Sequence, residues 1–408
     1  MQKKFIKIFY VFMCLMIISI YTNIAYTAEY QWSVTQDSIE TSNSSEVPIS
    51  QNNLNLESGA AILIDQKSGQ ILYEHNSHEQ LRPASVTKIM SILLIMEALD
   101  SGQITLDDRV PCSEKASSMG GSQVWLTTTE TLTVQEMLKC ICVVSANDCT
   151  VAMAEYLCGS TDAFVEKMNI RAKELGMNDT CFKNCHGIDE DGHVTSAYDI
   201  SLMSRALLEN HPSITKFTTI WMDSIRDGKS ELVNTNKLVR NYEGCTGLKT
   251  GSTSLALYNL SASATRNNLS LIAVIMKAPT PTLRFSEAKQ LLDYGFNTFS
   301  SVTLSNKNDI IKNINVEKGV EKTLNAVYSN NTSYTLSKGE ESKIRQEVNI
   351  PDTISAPIEQ GQKIGEVKYY IDDNLISSVD ILSDRAVDKN TFIYMSGYII
   401  KKWFSFLR

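Results

Sequence analysis

The sequence predicts an α+β fold: an antiparallel sheet with helices packed on it, followed by a small all-β domain and a C-terminal amphipathic helix. Three observations predict it. Strand-like runs at 60–75 and 255–276 bracket a long stretch whose apolar residues recur at helical spacing, so the two ends can share one sheet that the helices cover. From about Ser300 the pattern changes to Val/Ile-rich runs of moderate length between Asn, Gly and Ser turns. The last residues, 389–408, return to helical spacing, with Trp and Phe on one face and Lys beside them.

The chain opens on a segment that does not belong to this fold. Lys3, Lys4 and Lys7 precede an almost wholly apolar run over 8–20, and small or polar residues follow through Thr22, Ala25, Thr27 and Ala28. That is the build of a secretory signal peptide, expected at 1–28, and the mature protein is expected to be exported. An uncleaved N-terminal anchor is the other reading, although the run is short for a membrane span. Residues 29–57, rich in Ser, Thr, Asn and Gln with little periodicity, are expected to form a flexible lead-in.

The first domain is expected over 58–298. Two strands at 60–65 and 70–75 flank a Lys67-Ser68-Gly69 turn. After Arg82-Pro83-Ala84, residues Ile89, Met90, Leu93, Leu94, Met96 and Leu99 mark a helix that stops at Gly102. Helices are also expected over 133–142 and 148–157, separated by Val144-Ser145-Ala146-Asn147. Another starts at the cap candidates Ser160, Thr161 and Asp162 and ends near Gly176, and a further one spans 198–208. Strands at 255–265 and 269–276 and a helix at 282–296 close the domain.

The all-β domain is expected over 299–388, with strands around 314–316, 366–371 and 376–382. In the tail, Phe392, Met395, Ile399, Trp403 and Phe406 share a helical face, and Lys401, Lys402 and Arg408 add positive charge. Such a helix suits the headgroup layer of an anionic membrane; docking on the β domain is the alternative.

A 43% hydrophobic and 21% charged chain is globular rather than disordered, and its net charge of −8 leaves no basic surplus for a nucleic acid partner. Of nine cysteines, Cys14 leaves with the signal. The others (Cys112, Cys140, Cys142, Cys149, Cys158, Cys181, Cys185 and Cys245) read first as buried thiols, since several fall in apolar helical patterns, and second as one or two disulfides. Cys181, Cys185 and His186 lack a second ligand pair at zinc-site spacing, so no metal or organic cofactor is expected.

Chemistry enters at Ser85-Val86-Thr87-Lys88. Residues three apart share a helix face, so Lys88 can reach Ser85 and act as the base that a serine hydroxyl needs, provided burial or nearby charge lowers its pKa. The same spacing recurs at Ser213/Lys216 and Ser286/Lys289, so this pair alone says little. Ser145-Ala146-Asn147 places a hydroxyl and a carboxamide at alternate positions in the break between two helices. Lys249-Thr250-Gly251 opens the late hairpin with a charge and a hydroxyl for a carboxylate, and the glycine leaves room for a substrate backbone. Only Ser85, Ser145 and Lys249 give S-x-x-K, S-x-N and K-[ST]-G in that order, each at the place in the fold that the chemistry wants.

This ordered trio resembles that of the β-lactamases and penicillin-binding proteins. The segments 60–65, Arg82-Pro83-Ala84-Ser85, 184–189 and 247–251 narrow the resemblance to low-molecular-mass, serine-type D-alanyl-D-alanine carboxypeptidases. Ala356-Pro357-Ile358 with 361–367 looks like that family's C-terminal β domain, so the resemblance covers about 57–408. It implies a β-lactamase/transpeptidase-like catalytic domain. It also implies an enzyme that removes the terminal D-alanine from peptidoglycan stem peptides, is acylated by β-lactams, and sits on the outer face of the cytoplasmic membrane. Departures from the family are Cys185, Thr246 where Asp is frequent, and the cysteine count.

The resemblance further implies roles. Ser85 attacks the penultimate D-alanine carbonyl, Lys88 accepts its proton, and Ser145 relays a proton to the leaving amine. Asn147 orients Lys88 and the substrate amide. Lys249 and Thr250, beside Gly251, hold the terminal carboxylate, and the N–H groups of Ser85 and Ser252 form the oxyanion hole. His186 and His193, with Asp189 or Asp191, could suggest a triad, but the polar loop they occupy is read as a brace. Three rivals remain: a DD-endopeptidase; a β-lactamase, whose extra glutamate would be sought at Glu155 or Glu209; and a catalytically silent wall-binding protein.

Overall fold

In the computed structural model the described residues are 54–392, 394–397 and 403. The expected signal peptide, nearly all of the lead-in, and most of the C-terminal helix lie outside them.

A five-stranded antiparallel sheet forms the centre of the first domain. Its strands are β1 (Ala60–Asp65), β2 (Ile71–His75), β3 (Cys245–Thr253), β4 (Leu257–Arg266) and β5 (Leu269–Ala278), in spatial order β2-β1-β5-β4-β3. β1 and β5 come from opposite ends of the domain and pair from Ala60↔Met276 to Asp65↔Leu271. β1 is buried along its whole length because both faces are covered. Ile62 and Ile64 point into one core cluster, Ala61 and Leu63 into the other. Each such Leu or Ile contributes roughly 1.5–3 kcal/mol by leaving water.

The first cluster belongs to α1 (Lys88–Asp100), α2 (Val134–Val143), α3 (Asn147–Cys158), α4 (Thr161–Glu174) and α5 (Ala197–Asn210). α6 (Pro281–Thr298) covers the opposite face of the sheet with Ala288, Leu291, Leu292 and Phe296. Helix starts follow their caps. Thr133 and Glu136 form a reciprocal capping box on α2, Ser160 caps α4, and Thr280 with Pro281 opens α6. α1 is buried on nearly every side, which marks a helix at the centre of the domain.

One expectation is corrected here. Lys249-Thr250-Gly251 does not open the late hairpin; it lies inside a separate edge strand, β3, which pairs with β4 from Cys245↔Ala264 to Thr253↔Leu257. The run 245–253 has almost no large apolar side chains, so it carries no alternation signal; its strand conformation comes from the backbone ladder to β4.

In the second domain β6 (Phe299–Ser305) pairs with β9 (Thr332–Ser337). The remaining strands are β7 (Ile310–Glu317), β8 (Thr323–Tyr328), β10 (Ile344–Asn349), β11 (Thr353–Ser355), β12 (Lys363–Ile371) and β13 (Asn374–Ser383). They form a six-stranded sheet in the order β10-β12-β13-β8-β7-β11. It is antiparallel except for β7 with β11. The join to the first domain combines an apolar anchor, Phe299 packed on Tyr294, with two polar bonds: Thr335 Oγ1 donates to buried Asp65 Oδ2 at 3.0 Å, and Lys338 Nζ to the Phe296 carbonyl at 2.7 Å.

Among the described tail residues Phe392 and Trp403 are exposed, and no described helix is long and apolar enough to cross a membrane. The eight cysteines of the described part are free thiols, five of them buried. Burial pushes Cys142 and Cys185 up to about 12, which keeps these thiols protonated and unreactive.

Candidate active site

Ser85 lies in a single 3-10 turn, Ala84–Thr87, that runs directly into α1 at Lys88. The turn is held in a costly conformation, with Ala84 in the left-handed region at φ 49°. Its surroundings impose this. Thr87 Oγ1 donates to the Ala84 carbonyl at 2.8 Å. The loop carrying Gly187 packs so closely that a Cβ there would sit 1.9 Å from the Ala84 oxygen. His193 completes the brace. Its Nδ1 accepts the Lys183 N–H at 2.9 Å, so Nε2 carries the proton and donates to Thr87 Oγ1 at 2.8 Å.

Lys88 is fully buried, and its Nζ meets Ser85 Oγ at 2.9 Å, Asn147 Oδ1 at 2.6 Å and the His186 carbonyl at 2.6 Å. The last two can only accept. Asn147 is fixed in this sense because its Nδ2 donates to the Gly120 carbonyl at 2.7 Å. Burial, then the charge of Lys249, hold the Lys88 amine well below its ordinary value. A neutral Lys88 spends both hydrogens on the two carbonyl-type acceptors and turns its lone pair to the Ser85 hydroxyl. The arrangement is a serine with a base already aimed at its proton.

Ser145 sits in the break between α2 and α3 at φ 65°. Its hydroxyl is buried and has no hydrogen-bond partner among the described residues. Asn147 follows as the first residue of α3.

β3 forms the other wall. Lys249 is 1% exposed, and its Nζ donates to the Thr250 carbonyl at 3.0 Å. Burial lowers it to about 7; the Cys142 thiol acts in the opposite sense, and Arg284 lowers it further. Thr250 Oγ1 donates to Thr235 Oγ1 at 2.7 Å. Gly251 faces the serine turn, where a Cβ would lie 2.9 Å from the Pro83 oxygen and from the Ser85 and Val86 nitrogens. Ser252 is exposed on the same strand.

The structure therefore links Ser85, Lys88 and Asn147 by hydrogen bonds and brings Gly251 against the Ser85 backbone. Ser145 and Ser252 make no side-chain hydrogen bond to these groups. The look-alike pairs Ser213/Lys216 and Ser286/Lys289 lie exposed. No histidine side chain is hydrogen-bonded to Ser85. His186 Nδ1 accepts from the Ile188 N–H, and burial drives His186 down to about 3 and His193 to about 4, leaving both neutral. Glu155 is engaged by Ser113 Oγ and Glu209 by Gln66 Nε2, so neither is aimed at the serine.

Sequence reasoning missed the His186 carbonyl, which leaves no residue-type signal, and the Thr235 hydroxyl, distant in sequence from Thr250. It also missed buried Asp148, whose carboxylate accepts the Val124 and Leu126 N–H groups and holds the loop beside Asn147.

A serine hydrogen-bonded to a buried lysine on an α+β domain fits one class: the serine peptidases of the penicillin-binding fold. The chain belongs to the D-alanyl-D-alanine carboxypeptidase family (peptidase S11), whose sequence model matches residues 45–280; that of the penicillin-binding protein 5 C-terminal domain matches 299–389. It is 42% identical over 354 residues to D-alanyl-D-alanine carboxypeptidase DacF of Bacillus subtilis, covering 86% of this chain and 91% of the relative. It is 31% identical to DacC of Escherichia coli, covering 82% and 85%. Penicillin-binding protein 5 of Haemophilus influenzae superposes with a TM-score of 0.71 at 30% identity, covering 82% of this chain and 98% of the other. Penicillin-binding protein D2 of Listeria monocytogenes in its ampicillin-bound form gives 0.55 at 30% identity, covering 60% and 99%. The protein is a serine-type D-alanyl-D-alanine carboxypeptidase.

Proposed function

We propose that Ser85 is the nucleophile and Lys88 its general base. The observation that carries this is the three-way hydrogen bonding of Lys88, which leaves its lone pair no partner but Ser85 Oγ. The Ser85 Oγ–carbon bond forms at the penultimate D-alanine while its proton passes to Lys88 Nζ. As the C–N bond breaks, the leaving amine takes that proton through Ser145, whose unpartnered hydroxyl supports a relay. Water then cleaves the ester, releasing the shortened peptide and restoring the Ser85 hydroxyl.

Lys249 and Thr250 receive the terminal carboxylate. This contact couples to the base: a carboxylate on Lys249 offsets the positive charge that lowers Lys88, so Lys88 becomes more basic as substrate arrives. The N–H groups of Ser85 and Ser252 would hold the oxyanion, and the close approach of Gly251 to the Ser85 nitrogen supports that pairing.

The reading extends to place. The basic start, the apolar run over 8–20 and the small residues at 25–28 support export, and exposed Phe392 and Trp403, with Lys401 and Lys402 near them in sequence, support attachment of the 389–408 segment to the outer face of the cytoplasmic membrane. The nucleophile is tested by acylating the mature protein with a β-lactam and mapping the adduct by peptide mass spectrometry. An adduct on Ser85 is expected; an adduct on any other residue, or none, contradicts the assignment.

A further inference from the structure

An oxyanion hole built from two N–H groups works only if their separation is fixed. Here one donor, on Ser85, lies in a turn at the start of α1, and the other, on Ser252, lies on edge strand β3. These segments are far apart in the chain, and something must hold the gap between them.

Asn259 is placed to do so. It is fully buried in β4, directly opposite Gly251 of β3. The register between β4 and β5 shifts at this point: Tyr258 pairs with Ala278 and Leu260 with Ile275, so Asn259 faces the two residues Met276 and Lys277 of a bulge on β5, with Lys277 at φ 57°. That bulge re-aims the β5 backbone at Lys277, whose N–H meets the Asn259 side chain. Asn259 Nδ2 donates to the Arg82 carbonyl at 2.8 Å and the Pro83 carbonyl at 3.0 Å, while its Oδ1 accepts the Lys277 N–H at 2.7 Å. Every strong hydrogen-bonding group of the amide is therefore committed, two of them to the residues just ahead of the serine turn.

Arg284 of α6 secures the strand side. It is 7% exposed, and its Nη1 donates to the Gly251 carbonyl at 3.2 Å and the Asn259 carbonyl at 3.3 Å. No carboxylate pairs with it among the described residues, its Nε has no partner, and its guanidinium lies over the Tyr258 and Phe285 rings. A buried arginine without an acid is expensive to keep for stability alone.

We propose that Asn259, clamped by Arg284, is a positioning residue that sets the distance between the two oxyanion donors without touching substrate. The proposal rests on Ser85 being the nucleophile. Without the Asn259 amide, the Arg82-Pro83 segment is free to shift against Gly251, and the Ser85 N–H loses its alignment with the oxygen it must stabilise.

The test uses Asn259→Ala, with Arg284→Lys as a second variant that leaves the Asn259 side-chain bonds in place. Acylation by a fluorescent penicillin is resolved into reversible binding and the chemical step, and the ester carbonyl stretch of the acyl-enzyme is recorded by infrared difference spectroscopy. Each variant is expected to slow the chemical step about 10- to 100-fold, leave reversible binding nearly unchanged, and move the ester band to higher wavenumber as its hydrogen bonds weaken. A folded variant with the wild-type acylation rate and ester band overturns the proposal, as does one that loses binding and chemistry in equal measure. If Asn259→Ala does not fold, Arg284→Lys decides by the same readouts. A wild-type adduct mapping away from Ser85 overturns the underlying assignment and the proposal with it, and is told apart by that mapping.

Discussion

Asn147 Oδ1 lies 2.6 Å from Lys88 Nζ, and that contact determines which protonation state of the lysine can work. A neutral carboxamide oxygen accepts one hydrogen and adds no charge that would favour the ammonium.

Asn147→Asp therefore tests the base directly. A carboxylate at this distance stabilises protonated Lys88 and raises its pKa. Acylation by penicillin at neutral pH is expected to fall about 10²- to 10⁴-fold, with the acid limb of the pH profile displaced upward. A reduced rate with an unmoved acid limb would assign Asn147 a role in substrate binding only.

Lys249 controls the alkaline side. Its free-enzyme value near 7 means that the cation is present below that pH and is lost above it. The specificity constant for a peptide ending in a free carboxylate should thus decline above about pH 7, while the turnover number declines at higher pH because bound carboxylate raises the Lys249 pKa. Lys249→Gln should abolish this limb and raise KM. It should also shift the acid limb upward, since the charge that lowers Lys88 is gone.

Of the fold, most helices were legible because their apolar residues repeat with the helical period, as in Ile89, Met90, Leu93 and Leu94 of α1, and β1 and β5 because they are short, nearly continuous apolar runs bounded by turn residues. β3 was not, because its functional residues displace the apolar ones that would announce a strand. In the site, ordered motifs picked out Ser85, Lys88 and Asn147, which the structure joins by hydrogen bonds. Backbone contributors such as the His186 carbonyl, and brackets such as Asp148 and Asn259, depend on tertiary contacts that no local spacing encodes.

Gly187 offers a steric prediction. Its φ of 91° and the 1.9 Å approach to the Ala84 oxygen leave no room for a side chain. Gly187→Ala should destabilise the domain by roughly 1–3 kcal/mol and displace the serine turn. Denaturant unfolding together with penicillin labelling checks it; wild-type labelling would show that the loop can move away without cost to the site.

The buried histidines make stability depend on acid. His186 and His193 have folded values of about 3 and 4 against an unfolded value of 6.5. The unfolded chain therefore binds the protons first, and their contribution is intact above 6.5. It is lost as pH falls from 6.5 toward 4 for His193, and toward 3 for His186. The Tm should drop across this window, and His193→Gln should flatten part of the drop while weakening the Thr87 brace. A Tm independent of pH between 6.5 and 4 would contradict the burial of neutral imidazoles.

The central claim is that Ser85 removes D-alanine through an acyl-enzyme. The most direct measurement is free D-alanine released from a pentapeptide ending in D-Ala-D-Ala by the wild type and by Ser85→Ala, with fluorescent penicillin labelling of both in parallel. Release and labelling by the wild type alone are expected. Release that persists in Ser85→Ala, or a wild type that is labelled yet only hydrolyses the penicillin and frees no D-alanine, would contradict it.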